Sequence, residues 1–211
     1  MSDNKQDASG GESCCSCSLD PSRRVLLAAT AGVGAVIGAG VAVPFVTSFI
    51  EPSERAKAAG APVEADLSKI KPGEMITVEW QGKPVWILRR TPEMIAALQK
   101  NETALADPAS ERAEQPEYVK GAGRAIKDEF FVCLGVCTHL GCTPNSKFVL
   151  GAESGMGQDW AGGFLCPCHG SQFDLAGRVF KSMPAPTNLK IPKHTYLSDT
   201  RLLIGKDSGE A

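Results

Sequence analysis

No charged residue interrupts the chain between Arg24 and Glu51. A helix over that stretch would run about 39 Å against a hydrocarbon core of about 30 Å, so one membrane-spanning helix accounts for it. Pro44 marks its far end or a kink, since Val25 to Val43 already cover about 28 Å. The pattern then changes. From Glu51 to about Pro62 the chain is rich in Ala with Lys, Arg, Glu, Pro and Gly and has no apolar period, which reads as a linker. Met75 to Trp80 and Pro84 to Arg90 are rich in β-branched and aromatic residues around Gln81-Gly82-Lys83, which predicts a hairpin. Thr91 followed by Pro92 opens a short helix through about Lys100 as N-cap and first helical position. Residues 101–125 are polar without a clear period and are expected to form a surface excursion with little regular structure. Phe130 to Cys133 reads as a buried strand, and Lys147 to Leu150 and Gly163 to Leu165 as further strands joined by the Gly-rich run 151–163. Short strands over Arg178 to Phe180, Leu189 to Ile191, His194 to Leu197 and Leu202 to Ile204, separated by Gly, Pro and Asp, complete a small antiparallel β architecture.

Composition adds less than pattern. The 211 residues suffice for one good-sized domain with attachments, and a net charge of -2 with a pI near 6.0 gives no reason to propose nucleic acid. Cysteine placement is more informative. Of eight cysteines, Cys14, Cys15 and Cys17 lie in a polar N-terminal tail, where no role is assigned to them, and Cys133 reads as a core thiol. The remaining four fall in two short loops.

Those loops are Cys137-Thr138-His139-Leu140-Gly141-Cys142 and Cys166-Pro167-Cys168-His169-Gly170-Ser171. Each supplies one Cys and one His at ligand spacing plus a second Cys. A [2Fe-2S] cluster with thiolates on one iron and imidazoles on the other needs that inventory, because neutral His in place of anionic Cys raises the reduction potential. Zinc is the alternative, but zinc modules usually pair like ligands, C-x2-4-C with H-x3-5-H, whereas here each loop mixes the two types. His194 lies outside both loops and reads as an ordinary strand residue.

On these residues the chain resembles the Rieske iron-sulfur subunit of quinol:cytochrome c oxidoreductase, the cytochrome bc complex, in its proteobacterial form. The resemblance runs from the apolar segment to the last strand. Because the paired loops are shared with Rieske ferredoxins and oxygenases, the quinol-oxidising branch rests on other features: the anchor, an insertion at 101–125, and Met183-Pro184-Ala185-Pro186-Thr187-Asn188-Leu189, similar to the proline loop that covers the cluster in that branch. Two prolines stiffen such a cover. Ser22-Arg23-Arg24-Val25-Leu26-Leu27 resembles a twin-arginine export signal, although an Arg pair also satisfies the positive-inside rule. A cleaved signal ending near Ala56-Lys57-Ala58 is the alternative to a retained anchor, against which stands an apolar run much longer than a signal core. Within the apolar run, Gly34 and Gly38 form a G-x-x-x-G spacing suited to packing on a partner helix.

The resemblance implies a mostly β fold: a single N-terminal transmembrane helix followed by a Rieske-type antiparallel β domain with a small cluster-binding subdomain. It divides the chain into a cytoplasmic tail at 1–23, a membrane helix at 24–50, a hinge linker at 51–62 and a [2Fe-2S] domain at 63–211, with the cluster-binding part at about 134–186. It implies Cys137, His139, Cys166 and His169 as ligands, a disulfide between Cys142 and Cys168, and an oxidising compartment for the head. His169 is the imidazole expected to face quinol and His139 its partner. Ser171 matches a hydroxyl that donates to a bridging sulfide in high-potential relatives, whereas Phe173 stands where many of them have a tyrosine. Pro184, Ala185 and Pro186 cover the cluster. The implied partners are quinol, membrane lipid, and the cytochrome b and c-type cytochrome subunits of a dimeric bc complex in the bacterial inner membrane, with the N-terminus cytoplasmic and the head periplasmic. A Rieske carrier for an exported oxidase of the arsenite oxidase type, or for an oxygenase, is the competing expectation, and a zinc-stabilised interaction module is a third.

Overall fold

The computed structural model describes residues 20–50, 60–100, 102–112 and 114–207. The cysteines of the tail and most of the expected linker lie outside the described residues. The chain divides into two units, residues 1–53 and 54–211, each taken by itself below.

In the first unit one helix, α1 (Pro21–Ile50), spans the whole apolar stretch. It starts before the apolar run because Asp20 caps it: the Asp20 carboxylate accepts from Ser22 N at 3.0 Å, its carbonyl accepts from Arg23 N and Arg24 N, and Pro21 takes a first-turn position where no N–H is needed. Pro44 sits inside the helix, which continues to Ile50. An 18-residue stretch within residues 21–49 has a mean hydropathy of 2.1, and the side chains of 21–49 are exposed, so the helix is long and apolar enough to cross a membrane.

The described residues of the second unit form nine strands in three antiparallel three-stranded sheets. Strands β1 (Val63–Asp66), β9 (Arg201–Ile204) and β8 (His194–Ser198) form one sheet in that order. The second is β2 (Met75–Trp80), β3 (Lys83–Arg89) and β4 (Phe130–Leu134). The third is β5 (Asn145–Lys147), β6 (Gly163–Leu165) and β7 (Gln172–Asp174). The expected hairpin is β2–β3, with Trp80 paired to Lys83 across a two-residue turn. Both turn residues, Gln81 and Gly82, have positive φ, 52° and 69°, the turn whose twist matches paired strands. The helix after it, α2 (Pro92–Lys100), has its Thr91 cap, whose hydroxyl accepts from Met94 N at 3.3 Å.

Strands β3 and β4 are buried on both faces, and the two-residue alternation of side chains splits them between two cores. Val85, Ile87, Val132 and Leu134 pack with Leu67 and Ile70, which follow β1, and with Leu202 and Ile204 of β9. Trp86, Leu88, Phe131 and Cys133 face the other way, onto Phe164, Phe173, Leu175 and Leu189 beneath the cysteine loops. Trp86 stacks on Phe164 with ring centroids 5.1 Å apart, which joins the second sheet to the third.

Four expectations need correction. The strand expected over Lys147 to Leu150 lies at Asn145–Lys147, because Phe148 turns inward onto the Phe164 ring (5.6 Å) while the polar residues before it carry the ladder to β6. Only Val179 and Phe180 of 178–180 make bridges, and the regular strand is β7, four residues earlier at its last position. Leu189 to Ile191 is buried yet forms no strand: its backbone groups go to Gly177 O, Leu134 N and Glu114 O, three different segments. The residues at 101–125 have little regular structure, as expected, but those described are not only a surface excursion. They hold two short 3-10 turns, Glu102–Ala104 and Glu117–Val119, and bury Leu105, Ser110, Val119 and Arg124 against the head.

Candidate metal centre

The two cysteine loops have one backbone design. The first follows β4 and leads to β5, and the second is the tip of the β6–β7 hairpin. In each, the first Cys N–H donates to the carbonyl five residues on, Cys137 to Cys142 at 2.7 Å and Cys166 to Ser171 at 2.8 Å. The glycine four residues on donates back, Gly141 to Cys137 O at 3.1 Å and Gly170 to Cys166 O at 3.0 Å. Both glycines have positive φ, 85° and 76°, so the turn that returns the chain beneath its own cysteine calls for Gly there.

A disulfide joins Cys142 to Cys168, with Cα atoms 6.6 Å apart, and so ties the loops together. Cys137 and Cys166 remain free thiols, each 2% exposed, against the core. Burial pushes the Cys137 thiol above its ordinary range and the neighbouring Cys166 sulfur adds to that, while the His139 N–H and the Ser171 hydroxyl act against it. A metal cation bound at Cys137 would favour its thiolate form.

His139 and His169 project together, ring centroids 4.8 Å apart and planes at 84°. His169 is exposed and His139 half-buried. The Nδ1 of His139 is buried with no hydrogen-bond partner among the described residues, a position that costs free energy unless a metal takes it. The sulfurs of Cys142, Cys166 and Cys168 also lie within 4.8 Å of one another, but two of those three are spent in the disulfide and offer no thiolate. Two buried thiols, an orphaned imidazole nitrogen and a second imidazole beside it could supply two sulfur and two nitrogen ligands, and that donor set fits a [2Fe-2S] group ligated by two Cys and two His.

The segment 183–189 is fastened to both loops. Ala185 N donates to Ser171 Oγ at 3.1 Å, and Thr138 Oγ1 donates to Thr187 O at 2.7 Å. Ala185 is buried while Pro184 and Pro186 are exposed. Asn188, 1% exposed, accepts from Val179 N and donates to Asp107 O and Ser110 Oγ, which fixes the end of the segment to the 102–125 stretch. Phe173 is fully buried opposite Phe164. Under the hairpin, Asp174 and Arg178 form a buried ion pair at 2.7 Å, and Arg178 also donates to Leu98 O and Pro108 O. Thr138, Asn188, Asp174 and Arg178 were not singled out from sequence, because their roles are contacts to distant backbone groups that no local spacing announces. His194 is kept apart from the site: it is buried in β8 with Nδ1 at 2.8 Å from Pro192 O.

Comparison with known proteins gives concordant matches. A family model described as the Rieske [2Fe-2S] domain matches residues 110–193, and one described as the ubiquitinol-cytochrome C reductase Fe-S subunit TAT signal matches residues 18–53. The ubiquinol-cytochrome c reductase iron-sulfur subunit of Allochromatium vinosum is 60% identical over 190 residues, covering 90% of this chain and 90% of that protein. Its counterpart from Bradyrhizobium diazoefficiens is 40% identical over 187 residues, 88% of this chain and 95% of that one. Among solved structures, a chain of a hyperthermophilic respiratory complex III is 28% identical and covers 82% of this chain and 96% of that one, with a TM-score of 0.44.

Proposed function

The chain belongs to the Rieske iron-sulfur subunits of ubiquinol-cytochrome c reductase, and from that premise we propose how its residues serve electron transfer from quinol. It is the electron-transfer subunit of a cytochrome bc complex and carries a Rieske [2Fe-2S] cluster. The single observation that carries the residue assignment is the pairing of two imidazoles above two buried free thiols at the mouth of two disulfide-linked loops.

Cys137 and Cys166 as thiolates and His139 and His169 as imidazoles would hold the cluster, His139 through the buried Nδ1 that has no other partner among the described residues. When bound, the cluster supplies a one-electron acceptor. The exposed imidazole of His169 would offer the ring nitrogen not used for ligation to accept the quinol hydroxyl proton. His139, half-buried, is the second imidazole able to hold a proton at its outer nitrogen. Ser171 orients its hydroxyl on the Cys137 sulfur, and Ala185 with its flanking prolines excludes water from that side. The electron then passes to a c-type cytochrome, and cytochrome b takes the second quinol electron, so the isolated chain turns over no quinol. Helix α1 anchors the subunit in the inner membrane, with Arg23 and Arg24 cytoplasmic and the head periplasmic. The arginine pair ahead of the span and a disulfide, which needs an oxidising compartment, support that orientation.

The assignment is tested by single replacements read by low-temperature EPR of membranes. His139→Ala, His169→Ala, Cys137→Ala and Cys166→Ala each abolish the reduced-cluster signal, whereas Cys133→Ser and His194→Gln retain it. A signal surviving loss of any of the four ligands contradicts the assignment.

A further inference from the structure

Among the described residues three arginines are buried in the head: Arg90, Arg124 and Arg178, at 2%, 1% and 0% exposure. Their charges are met differently. Arg178 is neutralised by Asp174. Arg90 donates to Asp128 O and Gly123 O and lies over the Phe131 ring at 5.5 Å, within the field of the Asp128 carboxylate.

Arg124 has only neutral hydrogen-bond partners. Its Nη1 donates to Ala176 O at 3.0 Å and Gly177 O at 3.2 Å, and its Nη2 to Leu189 O at 2.7 Å and Gln115 Oε1 at 2.9 Å. Its Nε is buried without a partner among the described residues. Its backbone is held at φ +47°, in the left-handed region that a residue with a side chain enters only at a cost. Burial lowers the guanidinium pKa to about 10, which leaves it charged at any physiological pH. Asp174 and Asp107 lie within its field, but Asp174 is bonded to Arg178, and Asp107 accepts from Glu111 N and Arg112 N.

The position of this cation matters. Ala176 and Gly177 follow β7, which begins one residue after Ser171, and Leu189 ends the proline segment. Leu189, Phe131 and Cys133 belong to the same core cluster as Cys137 and Cys166. The Arg124 guanidinium also opposes the burial that raises the Cys133 thiol.

We propose that Arg124 is a fixed buried cation that raises the reduction potential of the centre held by Cys137, His139, Cys166 and His169. The proposal rests on that ligand assignment. The reduced centre carries one more negative charge than the oxidised one, so a buried positive charge favours it. Ala176 is five residues from Ser171, at most about 17 Å of extended chain, which puts the guanidinium within about 20 Å of the loop. A unit charge at about 20 Å, in an effective dielectric near 20, changes the oxidised-to-reduced ratio at fixed potential by about fourfold, equivalent to about 35 mV.

The test is an EPR-monitored potentiometric titration of membranes containing the assembled complex, comparing the parent with Arg124→Lys, Arg124→Gln and Gln115→Glu. Arg124→Lys keeps the charge and holds the parent potential. Arg124→Gln lowers it by about fourfold in ratio, or about 35 mV. Gln115→Glu places a carboxylate where the amide accepts from Nη2, and so cancels the cation without removing its bonds to Ala176, Gly177 and Leu189; it lowers the potential similarly, even if the Gln variant fails to accumulate. Lys and Gln variants shifted equally would make the effect one of packing. An unchanged potential in Gln115→Glu overturns the proposal. Both outcomes are distinct from failure of the ligand assignment, which is read from presence or absence of the signal in the ligand variants.

Discussion

Ser171→Ala separates two roles that one hydroxyl plays. Ser171 is fully buried, and its oxygen accepts from Ala185 N at 3.1 Å, so a lone pair is committed and the hydroxyl proton is free to point at the Cys137 sulfur. A donor at that sulfur favours whichever state of the centre carries more negative charge, which is the reduced one. Hydrogen bonds to charged groups contribute about 1.5–3 kcal/mol, and only the part that differs between oxidation states moves the potential, about 1–2 kcal/mol. At 1.36 kcal/mol and 59 mV per tenfold for one electron, Ser171→Ala lowers the potential by about 40–90 mV. The same substitution strands a buried Ala185 N–H, a cost of about 1–3 kcal/mol in stability. The assay is an EPR redox titration beside thermal unfolding of the same preparation, with Ser171→Thr as the hydroxyl-retaining control. A Ser171→Ala protein with an intact cluster, reduced stability and an unchanged potential would refute the donor argument while leaving the anchor to Ala185 intact.

Phe173→Tyr, at a fully buried position beside Phe164, adds a hydroxyl donor and raises the potential by about 40 mV on the same arithmetic, checked in the same titration. Arg178→Met leaves the Asp174 carboxylate buried beside carbonyls that have lost their donor, and urea unfolding should show a loss of about 3–5 kcal/mol. Burial, opposed by the Pro192 carbonyl and Asp207, holds the His194 imidazole below its ordinary range. The neutral ring therefore stabilises the fold fully above the unfolded value of about 6.5, and that contribution is lost as pH falls through the depressed folded value. His194→Gln should flatten the stability profile below pH 6.5, by at most about 1.4 kcal/mol per pH unit, and a profile as steep as the parent's would contradict this.

The ligand loops were legible because their chemistry is local: Cys, His and Gly at fixed offsets define the turn as well as the donors. The β2–β3 hairpin and α2 were legible for the same reason, through a Gln-Gly turn and a Thr-Pro cap. What escaped sequence reading is held by contacts between distant segments. Asn188 looks like any turn residue until Val179, Asp107 and Ser110 are placed around it. The 101–125 stretch reads as polar because two of its buried members, Ser110 and Arg124, are polar residues bonded to the Asn188 amide and to the carbonyls of Ala176, Gly177 and Leu189. Strand β5 is missed because it is polar and mostly exposed, whereas the apolar residues after it pack without pairing.

The central claim, that this chain delivers quinol electrons through a centre exposed at His169, is tested most directly by an EPR-monitored redox titration of isolated membranes with and without an inhibitor of the quinol site. Rieske potentials span roughly -150 to +300 mV. A signal titrating toward the upper end, with its potential or line shape shifted by the inhibitor, is the predicted result. A low-potential signal indifferent to the inhibitor would contradict the account and place the chain among carriers that never meet quinol.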